Sequence, residues 1–508
     1  MRAKRNALLC LAALTSLTIA VADVALAQKM NSRGPSPNIG VSRPPAGPSG
    51  GGYQGGGYQG GGYRGPGWGG VVPGILMGLP QGGGPYGPPG GGRFIDDGSI
   101  DGGPQGPRRP PQPAARRGPS GAPPANERRL VPDEVVIEIS NSVSPQAINA
   151  LQTRSRLTRI EQQSFQLTGT TLYRWWIPDR RSVPAVVRAL ETDAVVASAQ
   201  PNYLFALQQS ESKTGGDPAQ YELAKLRLPQ AHGVAKGDNV LVAVIDSGID
   251  DSHPDLNGSV AQNFDAIGTP GAPHKHGTAM AGLIAAHGKL MGAAPAARIL
   301  AIRAFDPAGK TAEGSTFNIL KGLDWAAANG ARVINMSFAG PADPAIQRSL
   351  AAAHKKGIVL VAAAGNGGAK SPPLYPAADP NVIAVTATDA DDRLFEQSNR
   401  GGYIAVAAPG AQILVAIPDG GYEVSSGTSY SAAEVSGIVA LMLERKPDLT
   451  PDKVRAILLA TAKDLGPKGR DNMFGAGLAD AYGAIMADGA PVLSAVPLPV
   501  SRVSTGAR

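Results

Sequence analysis

Apolar residues in the second half of this chain form short unbroken runs, and longer amphipathic stretches separate these runs. The runs are rich in aliphatic residues without polar alternation, which is typical of strands buried on both faces of a parallel sheet. Five runs are predicted to be such strands: 240–245, 298–304, 332–336, 358–363 and 382–387. Five stretches are predicted to be helices: 276–286, 314–328, 344–356, 429–445 and 451–463. This alternation predicts an α/β fold, a doubly wound and mostly parallel sheet with helices on both faces.

A shorter unit with a different order of elements precedes this sheet. Its strands are predicted at 134–139, 157–165, 171–177 and 194–199, and its helices at 145–151 and 183–190. The second helix has Ser182 at its N-cap position and Pro184 in its first turn, as many helix starts do. The order β-α-β-β-α-β predicts a small ferredoxin-like α+β domain.

The composition ahead of these units is very different. Glycine and proline make up 50 of the 95 residues from 31 to 125. Such a segment cannot bury a core, so we expect a flexible, solvated tether. A five-residue repeat at 51–65 carries Tyr53, Tyr58 and Tyr63 in phase, and basic residues follow it. This pattern leaves open a second role, adhesion to cell wall, polyanion or membrane surface.

The N-terminus indicates export. Three basic residues among the first five precede an apolar stretch that ends in Ala25-Leu26-Ala27, which predicts a signal peptide cut before Gln28; an uncut membrane anchor is the alternative. The only cysteine, Cys10, lies in this stretch, so the mature chain would have neither disulfides nor a thiol nucleophile. Of the net charge of +7, residues 1–129 carry +9 and residues 130–508 carry −2, so nothing indicates nucleic-acid binding by the folded part. We expect a periplasmic or extracellular protein with no membrane span after cleavage.

These signals divide the chain into six segments. They are a signal peptide at 1–27, a disordered Gly/Pro/Arg-rich tether at 28–129, the small domain at 130–207, a linker at 208–218, the α/β domain at 219–488 and a flexible tail at 489–508. The linker is polar and contains Gly215-Gly216, which predicts a site of proteolytic cleavage.

Three polar groups with complementary chemistry lie at the ends of predicted elements. Asp246 ends a strand, His276 opens a helix in His-Gly-Thr, and Ser429 opens another helix in Gly-Thr-Ser. Strand ends and helix starts share one edge of an α/β sheet, so the three groups can meet there. A serine hydroxyl needs a base such as histidine to become a nucleophile, and a carboxylate orients that base. Asn366, at the end of another strand, can donate to a developing oxyanion together with the serine N–H.

The motifs and their order resemble those of the subtilisin-like serine proteases, the subtilases. The resemblance covers about 219–488 and, more loosely, 130–207, which resembles the inhibitory propeptide of that family. Seven motifs carry it: Asp-Ser-Gly-Ile at 246–249, His-Pro-Asp-Leu at 253–256, His-Gly-Thr at 276–278, Ile-Asn-Met-Ser at 334–337, Ala-Gly-Asn at 364–366, Ala-Pro-Gly at 408–410 and Gly-Thr-Ser at 427–429. The resemblance implies that the aspartate, histidine and serine named above are the catalytic residues and that Asn366 is the oxyanion donor.

The resemblance also implies where a substrate binds. Two sets of residues would line the groove: Ser337, Phe338 and Ala339 on one side, and Ala363, Ala364 and Gly365 on the other. The first set would pair with the substrate backbone as an added strand. The second set would form one wall of the pocket for the residue before the scissile bond, and these side chains indicate an apolar pocket.

Several departures from the family pattern bear on function. Ala433 stands where proline is usual in the helix that follows Ser429. Glu434 makes this helix more polar, and we expect the Glu434 side chain to face solvent or a partner. Ala339 stands where glycine is common, which would narrow one subsite. The loop 287–292 is shorter than the family's calcium loop and lacks its Asn-type ligands. Asp255 is one candidate ligand, which is too few for a calcium site, so we assign neither a metal nor a cofactor.

The sequence therefore predicts an exported serine endopeptidase made as a zymogen, whose partners are its own propeptide and protein or peptide substrates. Two alternatives stay open. The first is a non-catalytic envelope scaffold, which the Gly/Tyr/Arg segment and the unusual residues 430–434 would suit. The second is a maturation protease or peptide ligase of narrow specificity.

Overall fold

The computed structural model describes residues 120–211, 220–307 and 312–487. The predicted signal peptide, most of the predicted tether, most of the predicted linker and the predicted tail lie outside the described residues. Among the helices that are described, none is long and apolar enough to cross a membrane.

A four-stranded antiparallel sheet with two helices forms the first unit. Its elements are β1 (Leu130–Ile139), α1 (Pro145–Ser155), β2 (Thr158–Phe165), β3 (Thr170–Trp176), α2 (Val183–Leu190) and β4 (Val196–Leu207). The strand order β4-β1-β3-β2, with every pair antiparallel, is the ferredoxin-like topology that the sequence predicts. Leu151 of α1 and Val187 of α2 pack with Trp175 of the sheet in one apolar core.

Two details of this unit differ from the prediction. Ser182 occupies the N-cap position of α2, but its side chain makes no capping hydrogen bond. Ser144 does cap α1, because its side chain accepts from the Ala147 N–H. The last strand is much longer than predicted: β4 continues to Leu207, because its second half pairs with strands of the second unit.

The second unit contains the remaining elements. Its helices are α3 (Tyr221–Lys225), α4 (Leu228–His232), α5 (Lys275–Ala285), α6 (Thr316–Ala328), α7 (Pro344–Lys355), α8 (Thr428–Arg445), α9 (Pro451–Thr461) and α10 (Ala481–Met486), with a 3₁₀ turn at Pro254–Leu256. The two-residue strand β5 (Ser210–Glu211) follows the first unit. The other strands are β6 (Leu241–Asp246), β7 (Val260–Asp265), β8 (Arg298–Arg303), β9 (Glu313–Ser315), β10 (Val333–Met336), β11 (Phe338–Ala339), β12 (Val359–Ala363), β13 (Val382–Thr388), β14 (Ile404–Pro409), β15 (Ile413–Ile417) and β16 (Gly421–Ser426).

Seven strands form one parallel sheet in the order β14-β13-β12-β10-β6-β8-β7, which confirms the predicted fold class. The five predicted strands form its centre. The sequence does not predict the two edge strands, because β7 is polar and partly exposed, and β14 is rich in alanine and ends in proline.

Helices cover both faces of this sheet. One apolar cluster includes residues of α5, α8, α9 and α10, and a second includes residues of α6 and α7. Helix α8 is enclosed along most of its length, because every residue from Thr428 to Leu443 is buried. A helix packed this closely holds its N-terminal residues in place at the carboxyl edge of the sheet.

Candidate active site

Asp246 is the last residue of β6, at the centre of the parallel sheet, and it is fully buried. Its backbone carbonyl accepts from the N–H groups of Ala304 and Phe305, which joins the end of β6 to the segment after β8. Its carboxylate Oδ1 accepts the Ser247 N–H at 2.8 Å. The strand end therefore fixes both the position and the orientation of the carboxylate.

His276 lies in the first turn of α5, directly opposite this carboxylate. Its Nδ1 is 2.8 Å from Asp246 Oδ1 and 2.9 Å from Oδ2, so Nδ1 carries the proton that the carboxylate accepts. The helix can approach the strand end this closely because residue 277 is glycine; a Cβ there would overlap the Gly248 carbonyl oxygen. Nε2 of His276 is buried and has no hydrogen-bond partner among the described residues.

Ser429 is the second residue of α8 and is also buried. The ring of its neighbour Tyr430 lies 6.4 Å from the His276 ring, so serine and histidine occupy the same region. The Ser429 hydroxyl does not bond to His276 in this arrangement. Its Oγ instead lies 2.6 Å from the carbonyl oxygen of Gln208 and 3.0 Å from that of Ser337.

Asn366 follows the end of β12 and faces the same groove. Its Oδ1 accepts from both the N–H of Thr428, at 3.1 Å, and the Oγ1–H of Thr428, at 2.9 Å. Two donors at Oδ1 determine which end of the amide is oxygen, so Nδ2 points away from Thr428. This Nδ2 is buried without a partner among the described residues. It is a buried donor that the two Oδ1 contacts hold in a fixed orientation.

A segment of this chain occupies the groove beside these groups. The second half of β4 lies between β9 and β11 as a middle antiparallel strand, with Ala206 opposite both Glu313 and Ala339. Leu207 pairs with Phe338, and the Gln208 N–H donates to the Ser337 carbonyl at 3.2 Å. The chain's own β4 is therefore added as a strand beside Phe338 and Ala339, the segment predicted to pair with a substrate backbone.

The residues predicted to form the opposite wall lie at the end of β12 and directly after it. Ala363 and Ala364 are fully buried, and the Ala364 carbonyl accepts from the side chains of Asn399 and Tyr403, which hold this wall in place. The Gly365 N–H donates to Thr428 Oγ1. The Gln208 side chain bonds to this wall at the next residue, where its Oε1 accepts the Asn366 N–H at 2.9 Å. This polar contact differs from the apolar one expected.

Phe338 contributes to a different pocket from the one predicted. Its ring meets Phe205 edge-on, with centroids 6.0 Å apart, and stands 4.9 Å from the ring of Phe305. Gly340 leaves room for Phe205, because a Cβ at residue 340 would overlap the phenyl ring. The apolar pocket therefore receives a residue three positions before Gln208. The sequence reveals neither Phe205 nor Phe305 as part of the site, because no local pattern connects them.

The carboxylate of Asp255, the one candidate calcium ligand, accepts hydrogen bonds from other groups of the protein. Its Oδ1 accepts the Lys289 N–H at 2.6 Å, and its Oδ2 accepts the Leu290 N–H and the Tyr422 hydroxyl, both at 3.0 Å. In the described part of the chain, no group of three or more His, Cys, Asp or Glu side chains is arranged to hold a metal ion.

Two acidic side chains are buried behind the nucleophile helix. Glu434 does not face solvent or a partner as the sequence suggested: it is 1% exposed, and neither carboxyl oxygen has a hydrogen-bond partner among the described residues. Burial, with a contribution from Glu222, raises the pKa of Glu434 well above its ordinary value. Burial raises the pKa of Glu222 in α3 to about 7. Both carboxyls therefore hold their proton to a higher pH in the folded protein than in the unfolded chain.

Comparison with known proteins agrees with this architecture. Residues 237–477 match the model of the subtilase family. Subtilisin E from Bacillus subtilis (strain 168) is 36% identical over 292 residues, which cover 55% of this chain and 74% of that protein. Thermitase from Thermoactinomyces vulgaris is 35% identical over 274 residues, which cover 52% of this chain and 95% of that protein.

A solved structure extends the likeness beyond the parallel sheet. Fervidolysin from Fervidobacterium pennivorans, described as a keratinolytic enzyme related to subtilisin, superposes with a TM-score of 0.62 at 25% sequence identity. The superposition covers 72% of this chain and 62% of the fervidolysin chain.

Proposed function

This chain belongs to the subtilase family of serine endopeptidases, and from that premise we propose that it is an exported endopeptidase made as a zymogen. The single observation that carries the proposal is the contact between Ser429 Oγ and the Gln208 carbonyl oxygen. A peptide group lies against the hydroxyl, beside an amide donor that has no partner in the described part of the chain, and Tyr430 next to the serine stands 6.4 Å from the ring of the buried Asp–His pair.

The proposed reaction is acyl transfer to serine. Ser429 Oγ attacks the carbonyl carbon of the scissile peptide, and its proton passes to His276 Nε2. Asp246 keeps the Nδ1 proton in place and stabilises the imidazolium, and the burial of the pair keeps water from screening that attraction. Because the hydroxyl bonds to carbonyl oxygens in the described arrangement, a rotation of the Ser429 side chain precedes attack. The imidazolium then protonates the leaving amine, and water hydrolyses the acyl-enzyme.

Two donors would stabilise the negative charge that forms on the carbonyl oxygen. One is Asn366 Nδ2, which its own Oδ1 contacts hold in position. The other is the Ser429 N–H, which lies in the first turn of α8 and so has no acceptor within the helix. Both are fixed before the reaction begins, so little reorganisation is needed as charge develops.

The first unit, including the predicted domain 130–207, has the properties of an inhibitor in this proposal. Its strand β4 fills the substrate groove and continues past Ser429 into β5, whose backbone pairs with β16. The peptide bond between Gln208 and Gln209 therefore lies at the nucleophile, within the predicted linker 208–218. We propose that this bond is the first one cut and that the mature chain begins at Gln209.

Polar contacts outside the groove also attach this unit to the α/β domain. Gln200 Nε2 donates to Asp343 Oδ1 at 2.8 Å, and Asp343 is the N-cap of α7. The Tyr203 N–H donates to Thr316 Oγ1 at 2.9 Å, in the first turn of α6. Both contacts are buried, so separating the units would leave polar groups to be hydrated. This supports an inhibitor that stays bound after the first cleavage.

The direct test is replacement of the nucleophile in the full chain. We expect Ser429→Ala to abolish casein hydrolysis and cleavage after Gln208, while circular dichroism shows an intact fold. The matched control is Ser431→Ala, two residues along the same helix, where the hydroxyl bonds to backbone carbonyls outside the groove. The control is expected to stay active, and unchanged hydrolysis by Ser429→Ala would refute the proposal.

The non-catalytic scaffold is distinguished by a labelling experiment. A fluorophosphonate probe should modify Ser429 in the mature protein and fail to modify it in the Ser429→Ala variant. Mass spectrometry of material from the periplasm and from the culture medium tests export and the Gln209 start together. Profiling on a peptide library separates a general protease from a maturation protease or ligase of narrow specificity.

A further inference from the structure

His274 makes an unusual contact beside the Asp–His pair. It precedes α5 and caps it, because its Nδ1 faces the N–H of His276 at 3.4 Å. The same Nδ1 lies 2.8 Å from Ser247 Oγ, a shorter and stronger contact. A simple helix cap would not need the second contact.

Ser247 connects this imidazole to the proposed catalytic carboxylate. Its Oγ lies 2.9 Å from Asp246 Oδ1, and Asp246 Oδ1 lies 2.8 Å from His276 Nδ1. A continuous hydrogen-bond path therefore runs from the His274 ring through a hydroxyl and a carboxylate to the His276 ring. Ser247, Asp246 and His276 are all buried, so water does not compete along the path.

The single hydroxyl proton of Ser247 gives this path two arrangements. In the neutral ring the Nδ1 of His274 that accepts the His276 N–H carries no proton, so it also accepts the Ser247 proton, and Asp246 Oδ1 receives nothing from that hydroxyl. When Nδ1 carries a proton, it donates to Ser247 Oγ, and the hydroxyl proton turns to Asp246 Oδ1. The carboxylate thus accepts one more hydrogen bond in the second arrangement than in the first.

We propose that His274 is a positioning residue which, through Ser247, sets how many hydrogen bonds Asp246 accepts and so how strongly Asp246 stabilises the His276 imidazolium. This inference rests on the proposed function. With His274 neutral, the negative charge of the carboxylate is directed to His276. With His274 protonated, the added hydrogen bond from Ser247 disperses the charge of the carboxylate. The His274 ring is then also a second cation close to the His276 imidazolium, so turnover falls.

The charges around His274 favour the neutral arrangement at neutral pH. Burial lowers the pKa of His274 below its ordinary value, and the nearby His276 and Lys275 lower it further. The carboxylates of Asp246 and Glu423 act in the opposite direction. Lys275 and Glu423 face each other at 3.5 Å, so their effects on the ring partly cancel.

Variants of the full chain, matured and assayed on a peptide substrate from pH 5 to 9, test the role in catalysis. We expect His274→Ala to lower kcat roughly ten-fold with little change in KM, the loss typical of one hydrogen bond to a charged network. His274→Asn keeps an acceptor without a titratable proton, so it should restore most of kcat and hold activity to lower pH than the wild type. His354→Asn, at the far end of α7, is the control and should change neither kcat nor the pH profile.

The relay through Ser247 is tested by a double-mutant cycle. In the Ser247→Ala background no hydroxyl can donate to Asp246, so adding His274→Ala should leave kcat unchanged if the path carries the effect. Equal losses for His274→Ala and His274→Asn, with lower thermal stability and unchanged pH profiles, would show a purely structural role and overturn the inference.

A measurement without catalysis separates this inference from the proposed function. In the Ser429→Ala chain, imidazole NMR should show the His276 Nδ1–H resonance shifting as His274 titrates. The shift should shrink when Ser247 is also replaced by alanine, and it should vanish with His274→Asn. A His276 Nδ1–H chemical shift that stays constant while His274 titrates would overturn the relay, whether or not the wild-type protein cleaves peptides.

Discussion

The Ser429 hydroxyl oxygen lies 2.6 Å from the carbonyl oxygen of Gln208, a residue more than two hundred positions earlier in the chain. This contact joins the two units at the proposed nucleophile. It accounts for two features of the site at once: the hydroxyl does not bond to His276, and the groove is filled by a peptide in strand geometry. Such an arrangement is expected of a precursor that awaits its first cleavage.

The first prediction concerns the amide that we propose as oxyanion donor. We expect Asn366→Ala to lower kcat by roughly 10²–10³ with little effect on KM, the loss known for the corresponding amide in the relative subtilisin. Steady-state kinetics on a peptide substrate measures both constants. Thr428→Val removes the hydroxyl that orients Asn366 and should cost less, whereas Thr428→Ser keeps it and should be close to wild type. Equal activity of Asn366→Ala and wild type would contradict the assignment.

The second prediction concerns processing of the precursor. Phe205 is 1% exposed in its pocket of aromatic rings, and removing such a side chain costs about 3 kcal/mol or more. Phe205→Ala should therefore slow cleavage at Gln208–Gln209 at least tenfold, as followed by gel densitometry and N-terminal sequencing. Ile160→Ala, which changes an exposed apolar residue of the same unit, is the control. Equal rates for the two variants would show that the aromatic pocket does not guide the segment.

The third prediction is a dependence of stability on pH. The folded protein keeps Glu222 protonated up to about pH 7, whereas an unfolded glutamate ionises near 4.5. The stabilising contribution is thus complete below about pH 4.5 and is lost as pH rises through about 7, a change of about 3 kcal/mol. Glu434, whose pKa is also raised, adds in the same direction.

Calorimetry in the Ser429→Ala background, which avoids self-digestion, can measure this dependence. Glu222→Gln and Glu434→Gln should each raise Tm at pH 8 and flatten its decline between pH 5 and 8. Glu396→Gln, at an exposed position, should do neither. A wild-type Tm that increases over this interval, with no response to either buried substitution, would contradict the prediction.

The fourth prediction concerns the loop after α5. Because Asp255 accepts three hydrogen bonds from the protein, we expect a chelator to leave Tm unchanged within about one degree. Asp255→Ala should lower the free energy of unfolding by about 2 kcal/mol or more, since buried donors lose their acceptor. Thermal melts with and without EDTA and added calcium measure both effects. A large fall in Tm with EDTA would show that this carboxylate serves a cation instead.

Local pattern was sufficient to predict the elements that carry the proposed catalytic groups. The apolar run before Asp246 and the helical spacing after His276 and Ser429 depend on neighbours in sequence, and the observed elements begin or end within a residue or two of the predicted bounds. Parallel strands buried on both faces must expose their carboxyl ends at one edge. The prediction that acid, base and alcohol lie at one edge of the sheet therefore follows from sequence together with the general geometry of α/β sheets.

Long-range contacts decided the rest. β4 extends to Leu207 only because partners more than a hundred positions away supply its hydrogen bonds, so no local propensity could reveal that Gln208 reaches Ser429. Glu434 has the sequence context of an exposed residue, yet the packing of α8 against the sheet buries it. The bonds from His274 through Ser247 to Asp246 likewise require two separate loops to meet. Sequence thus determined which chemical groups the protein carries at its strand and helix ends, and tertiary packing determined which of them touch, because hydrogen bonds and burial depend on distance in space.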